Sequence, residues 1–276
     1  MALSINSIKT VRATDPARVL LYGPPGIGKT TLASEFPSPI FIQIEDGTPG
    51  DIELPTFGIL DSYAQVLEAM TVLLDDYHEF RTVVVDSFTM MQRLIYAETC
   101  ARGDENGNVK TQIEDFGYGK GYVRATRVWQ EFMDVMNLVR RDRQMGIVLI
   151  GHSTVSRFDD PENVSYDRYE IDVRTSDKSE SNHRGLIERD MDAIILLKNS
   201  ITVKGEDSKK PASSSNRAIA DGGAQVWMHT KARPAFTAKN RYGIPDKLLY
   251  KRGEGYAELA KYFPVALEPA AEQKAA

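Results

Sequence analysis

A glycine-rich loop near the start of the chain has the residue types and the spacing that bind phosphate. The segment Gly23-Pro24-Pro25-Gly26-Ile27-Gly28-Lys29-Thr30 fits the pattern G-x-x-x-x-G-K-[ST] at every fixed position. Backbone N–H groups of such a loop surround phosphate oxygens, and the helix that follows adds partial positive charge. Lys29 would reach the β- and γ-phosphates, Thr30 would offer its hydroxyl to Mg²⁺, and Thr31 would lie near the α-phosphate. The loop therefore predicts a site for a nucleoside triphosphate with Mg²⁺.

Carboxylates after two apolar runs have the chemistry to complete this site. Asp86 directly follows Thr82–Val85, where a P-loop protein places the carboxylate that organises magnesium. Glu45 directly follows Pro39–Ile44 and is the candidate that orients or deprotonates water, with Asp46 as the alternative. An ordinary aspartate at a strand end and a solvated loop carboxylate are the competing interpretations.

His152 directly follows a third apolar run, Gly146–Gly151. If that strand neighbours the Asp86 strand, the imidazole would face the γ-phosphate and sense its presence. The alternative is a histidine that caps the strand and bonds to loop backbone.

These residues need a framework that brings several strand ends together. Short apolar runs alternate with helical segments, which predicts an α/β fold with a mainly parallel sheet and helices on both faces. Strands are predicted at Arg18–Tyr22, Pro39–Ile44, Thr82–Val85, Ile147–Ile150 and Asp192–Leu197, and helices at Lys29–Phe36, Ser62–Tyr77, Phe88–Arg102 and Tyr122–Arg143.

The second half of the chain is more polar, and four parts are predicted. An N-terminal segment (1–17) precedes the core (18–200), and a β-rich C-terminal extension with a basic finger (201–263) precedes a flexible tail (264–276). Within these parts His152–Gly185 is too long for a plain connection, so it is functional or mobile. Glu206–Asn216 is predicted to be a flexible loop, and Gln225–Thr230 with Pro234–Lys239 a hairpin or a pair of adjacent strands.

The composition of the chain excludes several classes of protein. The 276 residues are 42% hydrophobic and 26% charged, which is typical of a globular protein with a sizeable core. The net charge of −5 excludes a chain that is basic throughout, although a local basic groove is compatible with it. A single cysteine excludes an internal disulfide, and no apolar run is long enough to span a membrane. We therefore expect a cytoplasmic protein without membrane contact.

In their order along the chain, these residues resemble the RecA-like branch of P-loop ATPases. In that branch a glutamate follows the strand after the P-loop, serine follows the metal aspartate, and a polar residue ends the next strand. Glu45, Asp86-Ser87 and His152 occupy those places, and Ala238-Lys239-Asn240-Arg241-Tyr242-Gly243 is similar to the K-N-R-F-G motif of RadA-type proteins. Over about Arg18–Lys247 the chain most resembles small phage-encoded ATP-binding proteins of this class, some of which assist single-strand annealing recombination.

The resemblance implies a RecA-like core that hydrolyses ATP with Mg²⁺ in a bacterial host cytoplasm. It also implies a homo-oligomer, either a ring or a filament. Lys239 and Arg241 would then act in trans on the γ-phosphate bound by a neighbouring copy, a contact worth about 10³–10⁵ in rate when an arginine makes it. The alternative is a basic surface hairpin with no role at the phosphate.

Single-stranded DNA is the partner that the resemblance implies, together with a single-strand binding protein. The corresponding DNA-binding stretches are Arg102–Gly121, which has the glycines, aromatic residues and lysines of a stacking platform, and the more acidic Ser153–Gly185. Trp227–Arg252 adds seven Lys or Arg residues against one acidic residue. Mobile loops and an oligomer interface are the alternatives.

Two other functions stay open at this point. A loader or remodelling ATPase of the AAA+ type is favoured by the loop interior Pro24-Pro25-Gly26-Ile27 and disfavoured by Ser87 after Asp86. Strands after residue 190, in place of a helical bundle, would argue against it. A small-molecule kinase would use the same P-loop with Ser153–Gly185 as a lid, and the acidic residues of that stretch argue against it.

Overall fold

The computed structural model describes residues 15–204 and 219–264, which form ten strands and six α-helices. The strands are β1 (Arg18–Gly23), β2 (Pro39–Gln43), β3 (Thr56–Ile59), β4 (Thr82–Asp86), β5 (Gly146–Phe158), β6 (Tyr166–Ile171), β7 (Ala193–Lys204), β8 (Ile219–His229), β9 (Lys239–Asn240) and β10 (Lys247–Tyr250). The helices are α1 (Lys29–Ser34), α2 (Tyr63–Asp75), α3 (Phe88–Arg102), α4 (Lys120–Asp142), α5 (His183–Asp190) and α6 (Gly255–Ala260).

The strands form one sheet in the order β10-β8-β7-β1-β5-β4-β2-β3, with β6 paired to β5 and β9 paired to β7. The six strands from β7 to β3 in this order run parallel, and β8, β9 and β10 add antiparallel pairs. This mixed, mainly parallel sheet with helices confirms the predicted α/β P-loop core. The carboxyl ends of β1, β2, β4 and β5 meet at one edge, where ligands bind in open parallel sheets.

Two apolar layers cover the two faces of this sheet. Alternate residues of β1 show the division, because Leu20 and Tyr22 pack with α2, α3 and α4, whereas Val19 and Leu21 pack with α1 and α6. Strands buried on both faces have continuous apolar sequences. That is why most ends of the central strands could be predicted to within one residue. The exceptions are the C-terminal ends of β5 and β7, which lie further along the chain than predicted.

Helix α2 begins where its capping residues predict. The Ser62 hydroxyl accepts from the Gln65 backbone N–H at 3.3 Å, and the Gln65 side chain accepts from the Asp61 N–H at 2.9 Å. These two contacts satisfy backbone donors at the helix start, which otherwise have no partner within the helix.

The polar stretch after His152 is more regular than predicted. Strand β5 continues to Phe158 and forms a hairpin with β6, from the Ser153–Ile171 pair to the Phe158–Tyr166 pair. The rings of Phe158 and Tyr166 lie 5.5 Å apart, and the Arg168 guanidinium lies 4.5 Å from the Phe158 ring. Neither face of this hairpin is uniformly apolar, so the sequence shows no apolar alternation that would reveal it.

The C-terminal part departs from the prediction in its strand pairing. Most of the predicted strand Gln225–Thr230 lies at the end of β8, which stops at His229, but Pro234–Lys239 is not its partner, because β8 pairs with β7 and β10. The predicted boundary between 200 and 201 falls inside β7, so the C-terminal strands extend the sheet of the core. The predicted loop Glu206–Asn216 lies outside the described residues, as do residues 1–14 of the N-terminal segment and 265–276 of the tail.

Across the two described ranges of the chain, none of the helices combines the length and the apolar character needed to cross a membrane.

Candidate nucleotide-binding site

The glycine-rich loop connects β1 to α1, as its motif requires. Gly28 precedes the helix with a φ of 99°, a left-handed conformation that favours glycine. Gly23 ends β1 so close to β7 that an added Cβ would lie 2.4 Å from the Leu197 carbonyl oxygen. Ile27 is buried in the core, so its side chain anchors the loop while the backbone around it stays at the surface.

Lys29 is buried inside this loop. Its Nζ donates to the carbonyl oxygens of Gly23 and Pro24, both at 3.0 Å. Burial lowers the pKa of Lys29, while the charges of Asp86 and Glu45 act in the opposite direction. The ammonium group is therefore held against the loop backbone and has two carbonyl partners among the described residues, although it can donate three hydrogen bonds.

Thr30 and Asp86 are in direct contact, as the predicted magnesium site requires. The Thr30 Oγ1 donates to Asp86 Oδ2 at 2.8 Å. Asp86 ends β4 between β2 and β5, and only 8% of it is exposed. Burial raises the pKa of Asp86, and neither the Thr30 hydrogen bond nor the nearby Lys29 reverses that shift. The surroundings of Asp86 therefore disfavour its charged form, chiefly because the carboxylate is buried.

Glu45 and His152 face each other across the same edge of the sheet. Glu45 Oε1 lies 3.1 Å from His152 Nε2, and the His152 backbone N–H donates to Thr89 Oγ1 at 2.9 Å. His152 does not end its strand, contrary to the prediction. Its partner on β1 is Gly23, and from Ser153 onward β5 pairs with β6, so the chain leaves the main sheet without breaking the strand.

One pocket of about 500 Å³ brings these groups together. Its lining includes Thr30, Thr31 and Lys29 from the P-loop and α1, and Glu45, Asp46, Asp86 and His152 from the neighbouring strand ends. Glu45 and Asp46 both line the pocket, but Glu45 is the one in contact with His152. Pro25, Gly26 and Gly28 line it as well, whereas Gly23 and Pro24 contribute the carbonyls that hold Lys29.

Sequence reasoning missed the wall of the pocket that comes from the C-terminal part. Arg252, just after β10, lines the pocket, and its Nη1 lies 2.6 Å from Oδ2 of Asp51, which lines it too. Tyr250 lies beside the P-loop, since a Cβ on Gly28 would be 3.3 Å from its ring. About two hundred residues separate Asp51 from Arg252 in the chain, and no spacing pattern connects them.

Lys239 and Arg241 lie at the opposite edge of the sheet from this pocket. Asn240 pairs with Ala193 of β7, which is level with Val19 of β1 and so about 13 Å before the P-loop along the strands. Lys239 Nζ donates to the carbonyls of Glu188 and Arg189 at 2.7 and 2.8 Å. Arg241 Nη1 donates to Asp192 at 2.9 Å. Neither side chain belongs to the pocket of its own chain.

Much of the predicted basic stretch Trp227–Arg252 is neutralised by ion pairs. Acidic residues from elsewhere in the chain pair with Arg241, Lys251 and Arg252, and Asp246 lies near Lys231 and Arg233. In Arg102–Gly121 the Phe116 ring is flanked by Lys110 and Arg124, whereas Tyr118 is fully exposed. The positive excess that the sequence suggests is therefore smaller in the fold.

The residues present fit a magnesium nucleotide. Among the residues that the structure describes, no group of three or more His, Cys, Asp or Glu side chains is arranged to hold a metal ion alone. Magnesium bound with a nucleotide needs only one or two protein ligands, because phosphate oxygens and water supply the rest. Thr30 and Asp86 provide that set, and the buried hydroxyl of Ser87, next to Asp86 in the chain, has no hydrogen-bond partner among the described residues.

A comparison with protein families agrees with this geometry. The family model described as AAA domain matches residues 15–242, which include β1, the P-loop, Glu45, Asp86 and His152. The match covers most of the chain. The chain therefore belongs to the AAA domain family and contains an AAA-type P-loop ATPase domain.

Proposed function

We propose that this protein is a magnesium-dependent ATPase of the RecA-like class that acts on single-stranded DNA in recombination, annealing or replication of a phage or bacterium. The observation that carries the proposal is the 2.8 Å contact between Thr30 and Asp86 beside the buried Lys29. A carboxylate and a hydroxyl at that place, next to a phosphate-binding lysine, form the magnesium half of an ATP site.

The P-loop residues would position the triphosphate. Lys29 donates to two neutral carbonyl oxygens, and phosphate oxygens can replace them with stronger hydrogen bonds in which both partners are charged. Thr30 and Asp86 would hold the metal ion, which supplies electrostatic stabilisation of the phosphoryl oxygens when it is bound. The raised pKa of Asp86 fits this role, because the charge of a divalent cation would counteract the shift that burial causes.

Glu45 is the proposed base for the attacking water. It lies in the pocket with about 29% of its side chain exposed, so water can reach the carboxylate. Its contact with His152 fixes the carboxylate and leaves one oxygen free to accept a proton. His152 is in turn continuous with the β5–β6 hairpin, so a change at the γ-phosphate can reach that hairpin through a single strand.

The oligomer belongs to the proposal as well, as a ring or a filament with Lys239 and Arg241 acting in trans. Their place at the amino edge of the sheet supports this, because a head-to-tail assembly whose copies stack along the strand direction would bring the amino edge of one copy to the carboxyl edge of the next. About 49% of the Arg241 side chain is exposed, so it can exchange Asp192 for a phosphate of the neighbour.

One small surface, the turn before α4, supports the proposed binding of DNA. Tyr118 is fully exposed between Gly117 and Gly119, which both have positive φ, and Lys120 follows at the start of α4. An exposed ring on a glycine-rich turn with an adjacent cation suits stacking on an unpaired base. A single-strand binding protein remains the proposed protein partner.

A loader or remodelling ATPase of the AAA+ type is the second candidate, favoured by the description of the matching family. The part of the chain described after residue 190 contains β7 to β10 and one short helix, α6, in place of a helical bundle. That arrangement gives the RecA-like proposal precedence. The kinase alternative has no observation in its favour, since much of its predicted lid is the β5–β6 hairpin.

The test is an ATPase assay with and without single-stranded DNA in low salt, combined with a mass measurement of the assembly. We expect Mg²⁺-dependent turnover that DNA stimulates, and none with Lys29→Ala. Turnover without any binding or stimulation by DNA would contradict the DNA part of the proposal. A folded wild-type protein with no turnover above that of Lys29→Ala would contradict the ATPase part.

A further inference from the structure

The charge of the nucleotide pocket is unfavourable for a polyanion. Its lining carries four carboxylates, those of Glu45, Asp46, Asp51 and Asp86. Among the described residues that line it, only Lys29 and Arg252 carry a permanent positive charge. Even when a divalent cation offsets Asp86, a triphosphate therefore needs every fixed cation within reach.

Arg252 is held by a partner that it can readily leave. Its ion pair with Asp51 joins two largely exposed side chains, with 56% and 60% of their surfaces accessible. Such surface pairs contribute little because water competes for both groups. A nucleotide phosphate, with more charge and more acceptor oxygens than a carboxylate, can therefore displace Asp51 at small cost.

The backbone that carries Arg252 is fixed to the helix that begins at the P-loop. Glu35, at the end of α1, accepts from the Tyr250 hydroxyl at 3.0 Å and from the Gly253 N–H at 2.8 Å through Oε1. Its Oε2 accepts from the Tyr256 N–H at 3.0 Å. Anchors on both sides of Arg252 hold its Cα in one position relative to the P-loop, while its side chain is 56% exposed and can exchange one partner for another.

We infer that Arg252 binds the phosphate groups of the nucleotide held by its own P-loop, and that Asp51 occupies this arginine until the nucleotide displaces it. The inference rests on the proposed function, because it names a further residue of the same site. Asp51 acts as a competitor of the nucleotide, so removal of Asp51 and removal of Arg252 have opposite effects on affinity.

The experiment measures the affinity and the dissociation rate of a fluorescent ATP analogue with Mg²⁺ for the full chain and three variants. Arg252→Gln is expected to weaken binding about tenfold, the usual loss for a charge-assisted hydrogen bond. Asp51→Asn is expected to tighten binding a few-fold. Lys251→Gln is the matched control, because it removes the same charge from the adjacent residue, whose partner is Glu254 outside the pocket. It should match the wild type.

Equal weakening by Arg252→Gln and Asp51→Asn would overturn the inference, since it would mean that the ion pair only closes the pocket. Wild-type affinity in Arg252→Gln would overturn it too, while a loss in Lys29→Ala under the same conditions would leave the proposed function in place. If the wild type and Lys29→Ala both fail to bind, the proposed function fails and the inference with it. Thermal unfolding of each variant shows whether a loss of affinity reflects a loss of fold.

Discussion

Two buried aspartates lie at opposite edges of the same sheet and have opposite surroundings. Asp192, at the amino edge, accepts from Arg18 Nε and Nη2 at 3.1 and 2.9 Å and from Arg241 at 2.9 Å, with Arg140 at 3.7 Å. Burial alone would raise its pKa, but the hydrogen bonds and charge of Arg18, together with the charge of Arg140, hold it below the ordinary value. Asp86, at the carboxyl edge, has a hydroxyl and a lysine nearby, and its pKa is raised by burial.

The difference separates a structural carboxylate from one that is prepared for a ligand. Three arginines more than balance the charge of Asp192, so that edge of the sheet has no unmet need for a cation. At Asp86 the neighbouring Glu45 adds a second negative charge. A buried carboxylate without sufficient counter-charge is a place where a metal ion binds favourably.

The largest effect should come from the carboxyl edge. Glu45→Gln keeps the size of the side chain but cannot accept a proton, so we expect turnover to fall by about 10²–10⁴ with nucleotide affinity preserved. Steady-state ATPase rates and analogue binding measure the two quantities. Asp46→Asn is the matched control from the next residue. If Asp46→Asn loses turnover while Glu45→Gln keeps it, Asp46 is the base.

The amino edge should respond in stability instead of activity. Asp192→Asn leaves the partly buried Arg18 and Arg140 beside an uncharged group, which we expect to destabilise the fold by about 3 kcal/mol. Urea unfolding gives the free energy. Asp246→Asn, which removes a half-exposed partner of Lys231 and Arg233, should cost less than about 1 kcal/mol. Equal losses of stability in the two variants would show that Asp192 stabilises the fold no more than an exposed ion-pair partner does.

Asp86→Asn should change the free energy of unfolding in the opposite direction. It removes a buried charge that the nearby Lys29 does not fully compensate, so we expect the metal-free protein to gain about 1 kcal/mol at neutral pH and to lose Mg²⁺-dependent nucleotide binding. If the metal-free Asp86→Asn protein is less stable than the wild type, the proposed difference between the two aspartates is wrong.

The pH dependence of that gain follows from the raised pKa. The folded wild type binds a proton at Asp86 more readily than the unfolded chain, so its stability rises as the pH falls through the folded-state pKa. The advantage of Asp86→Asn should therefore vanish below the ordinary value of 3.8. The loss of stability in Asp192→Asn should also disappear at low pH. The wild type loses the stabilising charge of Asp192 as the pH falls through the lowered folded-state pKa of this residue.

The smallest expected effect tests whether the amino edge of one copy serves the pocket of another. An equal mixture of Arg241→Ala and Lys29→Ala chains should recover about a quarter of wild-type turnover if neighbours in a head-to-tail assembly are random. ATPase assays of the mixture and of each variant alone measure this. No recovery, with both variants folded and assembled, would confine Arg241 to its contact with Asp192.

The chemistry that depends on nearby residues or on strand ends could be predicted from the sequence. The P-loop is one continuous segment, and Glu45 and Asp86 each follow an apolar run that marks a buried strand. Parallel strands bring such ends to one edge, so the contact between Thr30 and Asp86 follows from topology. This part of the site required no knowledge of long-range packing.

The contacts between distant parts of the chain could not be predicted in this way. Arg252 and Asp51 meet only because β10 pairs with β8 at the far side of the sheet and α6 packs on α1. Lys239 and Arg241 form a short motif, but the motif does not reveal the Glu188 carbonyl or the Asp192 carboxylate that they bind within the chain. The hairpin after His152 was missed because its strands lack an apolar face.

The contacts of Glu35 bear on how much of the C-terminal part a fragment must contain to keep the nucleotide pocket. The family match stops at residue 242, yet the carboxylate of Glu35 binds groups of Tyr250, Gly253 and Tyr256. A chain shortened to the matched region would lose these donors and would expose the side of α1 that they cover. The shortest fragment that retains the complete nucleotide pocket therefore extends beyond the family boundary, at least through α6.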